Sequence, residues 1–380
     1  MNINKKIAVL TALFGPVTAF SATVYDHEGT VLDIFGKTEA VFLNQAASRS
    51  GSARSFYKGD KAGPDNTIDT IVRFGMAGST AINDRVKAIG HFEWETPFGS
   101  GSETKQLRSR YAYVGINAQS YGTLTAGRGD SAYTAVAAVT DVYNYLDNKS
   151  NDYWIFGDTR SGQIMYSLSS MGWDFRLSLQ MAEDKMGELF NVDSGYAFSF
   201  ATRLKNGIGV AYGASYTDFS YESDDSTQQR FFGEMYAKDG HIATDFAEYG
   251  KLHHPSYKVN KGIALTYGTL GQGFYAALLA NVTRYKGLAH HVYDYEVALS
   301  YSFDNGIELK GGWSSQKYRS SSLIEDLSLG ISYSPTAAFK LYAETQIDLN
   351  SHPNELYPDE YITEKALGQN RFVIGAAYYF

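Results

Sequence analysis

The chain has 380 residues, of which 44% are hydrophobic and 15% aromatic, and its formal net charge is −8 at pH 7. It contains no cysteine, which excludes disulfide bonds and thiol chemistry, and its acidic balance without a basic cluster argues against a nucleic acid as partner. With 37 glycines, 30 tyrosines and only 7 prolines, the composition is typical of many antiparallel strands joined by tight turns.

The beginning of the chain has the layout of a secretory signal peptide. Lys5 and Lys6 precede an apolar run at residues 7–14, and a small-residue pattern follows. This run is shorter than the roughly 18 residues that cross a bilayer as a helix, and no later run approaches that length. We therefore predict that residues 1–21 are a signal peptide for export and that residues 22–380 form a single domain.

From residue 31 onward the sequence falls into short runs in which apolar and polar residues alternate. For example, Val297, Leu299 and Tyr301 alternate with Glu296 and Ser300. A period of two indicates a β-strand, because successive side chains of a strand point to opposite faces. Eighteen such runs can be counted. Hairpin turn signals separate several of them, at Asn206-Gly207, Asp239-Gly240, Gly271-Gln272-Gly273 and Asp304-Asn305-Gly306.

The same alternation continues to the last residue. One face of the final run is apolar and carries Phe372, Ile374, Ala376, Tyr378 and Phe380. An apolar strand face that runs to the end of the chain needs a partner strand and a cover. We predict that this strand pairs with the first strand near Val31–Phe42, closes the sheet and faces lipid.

The predicted sheet has the features of a transmembrane barrel. Charged residues occupy the centres of the polar faces, at Glu296, Glu308, Lys310, Glu344 and Asp348. The apolar faces often end in aromatic residues, and short turns alternate with longer polar loops, as in outer-membrane barrels. A soluble β-sandwich also alternates, but its apolar faces meet in a shared core. Because only a closed sheet satisfies every backbone group in lipid, we predict an all-β, antiparallel, transmembrane β-barrel.

Several segments resemble the general diffusion porins of Gram-negative outer membranes. They are ATVYDHEGTVLDIFGK, IVRFGMAGSTAINDRVKAIGHFEWE, RYAYVGINAQSYGTLTAGRGD, VTDVYNYLDNKSNDYW, DTRSGQIMY and the terminal Phe380. The resemblance is specific over about residues 22–185 and rests on pattern beyond them. It implies a homotrimer of sixteen-strand barrels in the outer membrane, an even strand number as bacterial barrels require. Each barrel would be a water-filled channel, narrowed by an inward-folded third loop that VTDVYNYLDNKSNDYW would form.

The resemblance also implies partners. Lipid and lipopolysaccharide would surround the barrel, and the barrel-assembly machinery would recognise the C-terminal signal at Tyr378 and Phe380. Small hydrophilic solutes would pass, and neither a cofactor nor a metal would be needed.

By the same resemblance, basic residues on one wall of the channel face acidic residues on the third loop. The positions that match the family's motifs are Arg73, Arg110, Arg160, Lys37 and Arg128 on the basic side and Asp141 on the acidic side. A cluster of arginines is self-repelling and needs nearby acids, for which Asp147 and Glu95 are further candidates.

Alternation supports the inward direction of some of these side chains. Arg73 lies between outward Val72 and Phe74, and Arg110, with Arg108 on the same face, alternates with Tyr111 and Tyr113. An arginine that faced lipid near the middle of the bilayer would cost a few kcal/mol, so these side chains are predicted to point into the lumen. Small residues predicted on inward faces would leave space there: Gly75, Ala77, Ala112 and Gly162.

Two features depart from the family. Its loop tip usually reads proline–glutamate–phenylalanine–glycine–glycine, whereas this chain has Asn144-Tyr145-Leu146-Asp147-Asn148, with Tyr145 at the glutamate position. The count of eighteen strand-like runs also exceeds sixteen. Either one hairpin is extra, or one pair of runs does not span the membrane.

Passive diffusion of small hydrophilic solutes is the leading function, because lumen width and wall charge decide what passes such a channel. The alternative is a sugar-specific porin, in which aromatic residues of the third loop would stack on oligosaccharides: Tyr143, Tyr145, Tyr153 and Trp154. Simple packing of these rings against the wall is the favoured interpretation. A purely structural or adhesive barrel is a further alternative.

An enzyme is not expected. The histidine pairs His253-His254 and His290-His291 lie in predicted loops or strand ends without a convincing nucleophile nearby. The sequence contains no His-Glu-x-x-His metal motif.

Overall fold

The structure of the chain is a computed structural model. It describes residues 21–44, 67–98, 107–146, 151, 159–186, 190–222, 231, 234–236, 238–239 and 253–380. Apart from Ser21, the predicted signal peptide lies outside the described residues, so its assignment stays a prediction.

The described residues form eighteen strands and a few short helical segments. The strands are β1 Ala22–His27, β2 Thr30–Asn44, β3 Thr67–Asn83, β4 Val86–Phe98, β5 Arg108–Asn117, β6 Thr123–Gly129, β7 Arg160–Ser170, β8 Trp173–Gln180, β9 Glu183–Met186, β10 Phe190–Arg203, β11 Ile208–Glu222, β12 His253–Thr269, β13 Gln272–Tyr285, β14 Val292–Ser302, β15 Ile307–Tyr318, β16 Ser321–Thr336, β17 Phe339–Asp348 and β18 Arg371–Tyr379. The α-helices are α1 Thr134–Ala137 and α2 Asp359–Lys365, and 3₁₀ turns cover Gln119–Tyr121, Ala138–Thr140 and Pro353–Glu355.

The sheet closes into a barrel in which neighbouring strands are antiparallel. The last strand, β18, pairs with β2 from Phe372 opposite Asn44 to Tyr379 opposite Lys37, so the predicted closure is confirmed. Sixteen strands, β2–β8 and β10–β18, make the closed wall. The all-β barrel predicted from the alternating runs is therefore present.

The two remaining strands are short continuations of wall strands. β9 follows β8 after a break at residues 181–182, and both pair with β10. β1 continues the line of β18 along the same edge of β2, because Phe380 exchanges backbone hydrogen bonds with Gly36 while Ala22 stands opposite Ile34. Eighteen strands and a sixteen-strand wall are thus compatible.

The short turns after β3, β5, β7, β10, β12, β14 and β16 lie at one end of the barrel, which is also the end of β18, whereas the two-residue turn between β15 and β16 lies at the other end. Three predicted hairpin turns are confirmed, and their glycines need a positive φ, which is 87° at Gly207, 81° at Gly271 and 86° at Gly306. The turn predicted at Asp239-Gly240 is wrong. Asp239 lies in the long connection between β11 and β12, where its N–H donates to the carbonyl of Met235 in a helical turn. Gly240 lies outside the described residues.

The outer surface of the wall is mostly apolar. On β18 the exposed fraction is 49% for Ile374 and 53% for Tyr378, whereas Val373 and Ala377 are fully buried. Other strands repeat this alternation with exposed leucine, isoleucine and tyrosine, which suits contact with lipid. Among the described helices, none is long and apolar enough to cross a membrane.

Candidate functional site

We call the connection between β6 and β7, residues 130–159, the third loop. Its described residues 130–146 turn into the lumen and follow the inner wall. Successive loop residues contact successive strands through hydrogen bonds: Tyr133 with Asn281 on β13, Val139 with Tyr275 on β13, Thr140 with Glu296 on β14, and Tyr143 with Ser328 on β16. All four wall residues lie on inward positions of their strands. The predicted inward fold of this loop is therefore present in the described residues.

Glu344 on β17 fixes the loop tip. Its carboxylate accepts hydrogen bonds from the backbone N–H groups of Asn144 at 2.6 Å and of Tyr145 and Leu146 at 3.0 Å. The side chain is buried, with 1% of its surface exposed. Three N–H donors supply the charge-assisted hydrogen bonds that a buried carboxylate needs. Alternation placed Glu344 in the lumen, but no local pattern connects it with a segment two hundred residues earlier.

Glycines of the wall make room for the tyrosines of the third loop. A Cβ atom on Gly312 would lie 2.9 Å from the hydroxyl oxygen of Tyr143, and one on Gly262 would overlap the hydroxyl of Tyr133. The hydroxyl of Tyr143 donates to the carbonyl of Ser328 at 2.9 Å. These rings therefore pack on the wall. Of the other predicted loop residues, Tyr145 packs against the same buried hydrophobic cluster as Tyr143, and Asp141 is exposed. Asp147, Tyr153 and Trp154 lie outside the described residues.

Four of the six predicted basic residues come together on the inner face of β2, β3 and β5. Strand register places Lys37 on β2 opposite Arg73 on β3, Arg73 opposite Glu95 on β4, and Glu95 opposite Arg108 on β5. Arg110 on β5 joins them, with its Nη1 atom 3.4 Å from Glu95 Oε2. Their inward direction agrees with the alternation of β2 and β3.

Three carboxylates are interleaved with these cations. Arg108 lies 2.7 Å and Arg110 2.9 Å from their carboxylate partners, which are Glu95 and Glu93, and Lys37 lies 2.6 Å from Glu39. Arg73 also pairs with Glu95. We call these seven residues the ion-pair wall: Lys37, Arg73, Arg108, Arg110, Glu39, Glu93 and Glu95. Its formal charge is one positive unit, because four cations meet three anions.

The predicted acid Glu95 belongs to this wall and not to the third loop. Glu39 and Glu93 were missed, although both alternate with outward residues and could have been found from the strand pattern. The resemblance implies acids on the third loop, whereas the carboxylates that pair with these cations stand on the neighbouring strands β2 and β4.

A β-bulge changes the direction of side chains on β5. The register shifts between Glu93 and Trp94, which stand opposite Tyr111 and Ser109, so Arg110 is the extra residue. Beyond the bulge Tyr111 and Tyr113 point into the lumen. There the ring of Tyr113 stacks on that of His91, with 5.1 Å between the ring centroids. The predicted outward direction of Tyr111 and Tyr113 and the inward direction of Ala112 are therefore wrong.

Arg128 and Arg160 form separate contacts. Arg128 pairs with Glu183 at 3.1 Å, and Arg160, which is 3% exposed, lies 3.3 Å from Gln180 and from Thr217. Both are on the adjoining wall of β6 and β7, and neither contacts the ion-pair wall through the described hydrogen bonds and ion pairs.

The two sides of the lumen differ in what covers them. On β12–β15 the inward side chains of Lys258, Asp294 and Gln316 are at most 1% exposed. They lie beneath the third loop and beneath a hydrophobic cluster at the outer end, the outer core, made of Val192, Phe219, Phe231, Met235, Tyr236, Tyr285, Val292, Tyr318, Leu323, Ile324, Leu356, Tyr357, Tyr361 and Leu367. On the ion-pair wall, 30% of the Arg73 and 38% of the Arg108 side chain is exposed. Among these described residues, Arg73 and Arg108 of the ion-pair wall are therefore the more exposed ones.

The described residues contain no group of three or more His, Cys, Asp or Glu side chains that could hold a metal ion. The described lumen residues that stand out are the charged side chains of the ion-pair wall.

Comparison with known proteins agrees with this geometry. A family model described as Gram-negative porin matches residues 9–380. Outer membrane protein F of Serratia marcescens is 21% identical over 373 residues, covering 92% of this chain and 93% of the relative.

Among solved structures, Salmonella typhi OmpF in complex with daunomycin matches with a TM-score of 0.70 at 16% identity, covering 94% of this chain and all of the other. The trimer form of OmpT from Vibrio cholerae matches with a TM-score of 0.60 at 12% identity, covering 93% of this chain and all of the other. These structures share the fold. The chain belongs to the Gram-negative porin family, as an outer-membrane channel for passive diffusion and not an enzyme.

Proposed function

We propose that the ion-pair wall and the third loop bound the narrowest part of the channel and that solutes pass between them. The observation that carries this proposal is the unequal covering of the lumen: the side chains of Arg73 and Arg108 are partly exposed, whereas Lys258, Asp294 and Gln316 on β12, β14 and β15 are buried. Small hydrophilic solutes and ions are selected there by size and charge.

The charge pattern supports weak selectivity. The arginines are paired at short distance with carboxylates of their own wall, so the local field is that of alternating charges with one positive unit in excess. Fields from such paired charges fall off quickly in water. A transverse field toward acids of the third loop has less support, because Asp141 is the single predicted loop acid among the described residues.

Sugar specificity through the third loop has less support as well. Tyr143 uses its hydroxyl for the Ser328 carbonyl and its ring for packing against the wall. A stacking platform needs a ring face turned to the solute.

We further infer a homotrimer, which the trimer form of the related OmpT supports. Phe380 and Tyr378 lie on the outward face of the closing strand, where the barrel-assembly machinery can contact them.

Exposed cations on the outer surface of β12, β13 and β15 support binding of a phosphorylated lipid such as lipopolysaccharide. Lys261, Arg284 and Lys317 are exposed on β12, β13 and β15, beside the outward Tyr293. Within the described residues none of the three cations has an ion-pair partner. An outward cation is costly in lipid unless it reaches an interface or an anion.

The experiment is single-channel recording of the purified oligomer in a planar bilayer, with maltose and chito-oligosaccharides added in turn. Large conductance steps that close in threes and ignore both sugars are expected. Sugar-dependent blockades would favour the sugar-specific alternative, and absence of conductance would contradict both channel functions.

A further inference from the structure

Three polar side chains form a row across the covered wall. Asn281 on β13, Asp294 on β14 and Gln316 on β15 are direct register partners, and each is 3% exposed or less. Asp294 accepts hydrogen bonds from both neighbours, from the amide nitrogen of Asn281 and from Gln316 Nε2 at 3.0 Å. The carboxylate therefore joins two amides that stand on either side of it.

The far ends of the row hold two different loops. The hydroxyl of Tyr133, in the third loop, donates to Asn281 Oδ1. The hydroxyl of Tyr357 donates to Gln316 Oε1 at 2.8 Å. Tyr357 lies in the connection of residues 349–370 between β17 and β18, which we call the outer loop. Four hydrogen bonds thus run without interruption from the outer loop to the base of the third loop.

The carboxylate sets the polarity of this row. An ionised aspartate only accepts hydrogen bonds, so it turns the N–H groups of both amides toward itself and both amide carbonyls away. Those carbonyls then accept the two tyrosine hydroxyls. An asparagine in place of Asp294 would offer one acceptor and one donor, and one of the two amides would have to turn its carbonyl away from its tyrosine.

We propose that Asp294 is a positioning residue that ties the outer loop to the third loop, so that a change at Tyr357 alters the order of the third loop across the barrel wall. Buried hydrogen bonds in series polarise one another, and hydrogen-bond networks of this kind are one of the routes by which distant sites are coupled. This coupling goes beyond the selection of solutes by the ion-pair wall and does not depend on it.

The chain has no cysteine, so a single introduced thiol can carry a spin label. Ala135 is suitable, because it lies in α1, is half-buried and stands two residues from Tyr133. Ala135→Cys would be labelled with a nitroxide and its mobility measured by electron paramagnetic resonance in the folded oligomer, with and without Tyr357→Phe. We expect Tyr357→Phe to raise the ratio of mobile to immobile label roughly fivefold, the lower end of typical coupling between sites.

Tyr236→Phe is the matched control. It also removes one tyrosine hydroxyl from the outer core, one that donates to the carbonyl of Lys286 at 2.6 Å, but Tyr236 does not contact the row through the described hydrogen bonds. An unchanged label in Tyr357→Phe, or an equal change in Tyr236→Phe, would overturn the proposal.

A second comparison distinguishes coupling between the two loops from a general loss of order in the barrel. Tyr133→Phe cuts the row at the third loop itself, so adding Tyr357→Phe to it should change the label no further. Additive effects of the two substitutions would show that the loops are held independently and would contradict the proposal. Asp294→Ala, which removes the shared acceptor of both amides, should raise the mobility of the label as Tyr357→Phe does, and a label as immobile as in the unsubstituted chain would contradict the proposal.

Discussion

Glu344 accepts a 2.6 Å hydrogen bond from the backbone N–H of Asn144, a residue two hundred positions earlier in the chain. Because Tyr145 and Leu146 donate to the same carboxylate, one wall residue orders the whole described tip of the third loop. The family's usual loop-tip sequence is absent here, and the anchor on the wall explains how a different sequence is held in the lumen.

Replacing Glu344 by alanine should release the loop tip. Each buried N–H group that loses its acceptor costs about 1–3 kcal/mol, so the tip would leave the wall. We expect frequent brief closures and a changed conductance in single-channel records. Glu308→Gln is the control, since it also removes a lumen carboxylate, one that pairs with Lys310 at 3.3 Å on the neighbouring wall. Single-channel records of Glu344→Ala without brief closures would contradict the role of Glu344 as the anchor of the loop tip.

Glu95 is shared by three arginines, and its neutralisation should shift the channel toward anions. Glu95→Gln raises the formal charge of the ion-pair wall from one to two positive units. A unit charge about 4 Å away in water is worth roughly 1 kcal/mol, which corresponds to a change in permeability ratio of up to about fivefold. Reversal potentials in a potassium chloride gradient measure this ratio.

The matched control for charge is Glu183→Gln. Glu183 pairs with Arg128 at 3.1 Å, outside the ion-pair wall. A shift of the same size in both variants would mean that total lumen charge, and not the ion-pair wall, sets selectivity.

Gly312 should be intolerant of a side chain, whereas its neighbour Gly311 should not. A methyl group on Gly312 would lie 2.9 Å from the Tyr143 hydroxyl and 2.8 Å from the Val297 carbonyl oxygen, but on Gly311 it would meet only Leu329 at 3.7 Å. Overpacking of this kind costs about 1–3 kcal/mol. Thermal unfolding of the two alanine variants checks the difference, and Tyr143→Ala should partly rescue Gly312→Ala if the loop tyrosine is the obstacle.

The outward cations should retain phosphorylated lipid. We expect Lys261→Gln/Arg284→Gln to lose diphosphoryl lipid A in native mass spectrometry of the oligomer, because phosphate binds these groups through charge-assisted hydrogen bonds. Lys205→Gln, at an exposed turn of the other barrel end, is the control. Equal retention by all variants, or retention of monophosphoryl lipid to the same extent, would argue against this site.

The wall of the barrel could be predicted from the sequence because alternation is local. The outward Ile374, the inward Arg73 and the turn at Gly306 all follow from residues within a few positions of each other. The direction of Tyr111 and Tyr113 could not, since the bulge at Arg110 arises from pairing with β4. The turn expected at Asp239 fails for a similar reason: distant partners satisfy its buried carboxylate, such as Arg319 at 2.8 Å.

The candidate site was predictable only in part. The basic residues of β2, β3 and β5 could be chosen from motif and alternation, but their partners on β4 required the register between strands. The course of the third loop depends on Glu344, Asn281 and two wall glycines, which lie more than a hundred residues away in the chain. No short sequence pattern encodes such a course.

The covering of the lumen by loops on one side also has a mechanical consequence. Among the described residues, the half of the barrel that carries the third loop and the outer core is two layers thick, whereas the half around the ion-pair wall is a single sheet. A packed double layer resists bending more than a single sheet does. When a thinner or more tightly stretched bilayer presses on the barrel, we therefore expect the sheet of β2–β5 to deform first. The salt bridges between these strands would then resist the deformation.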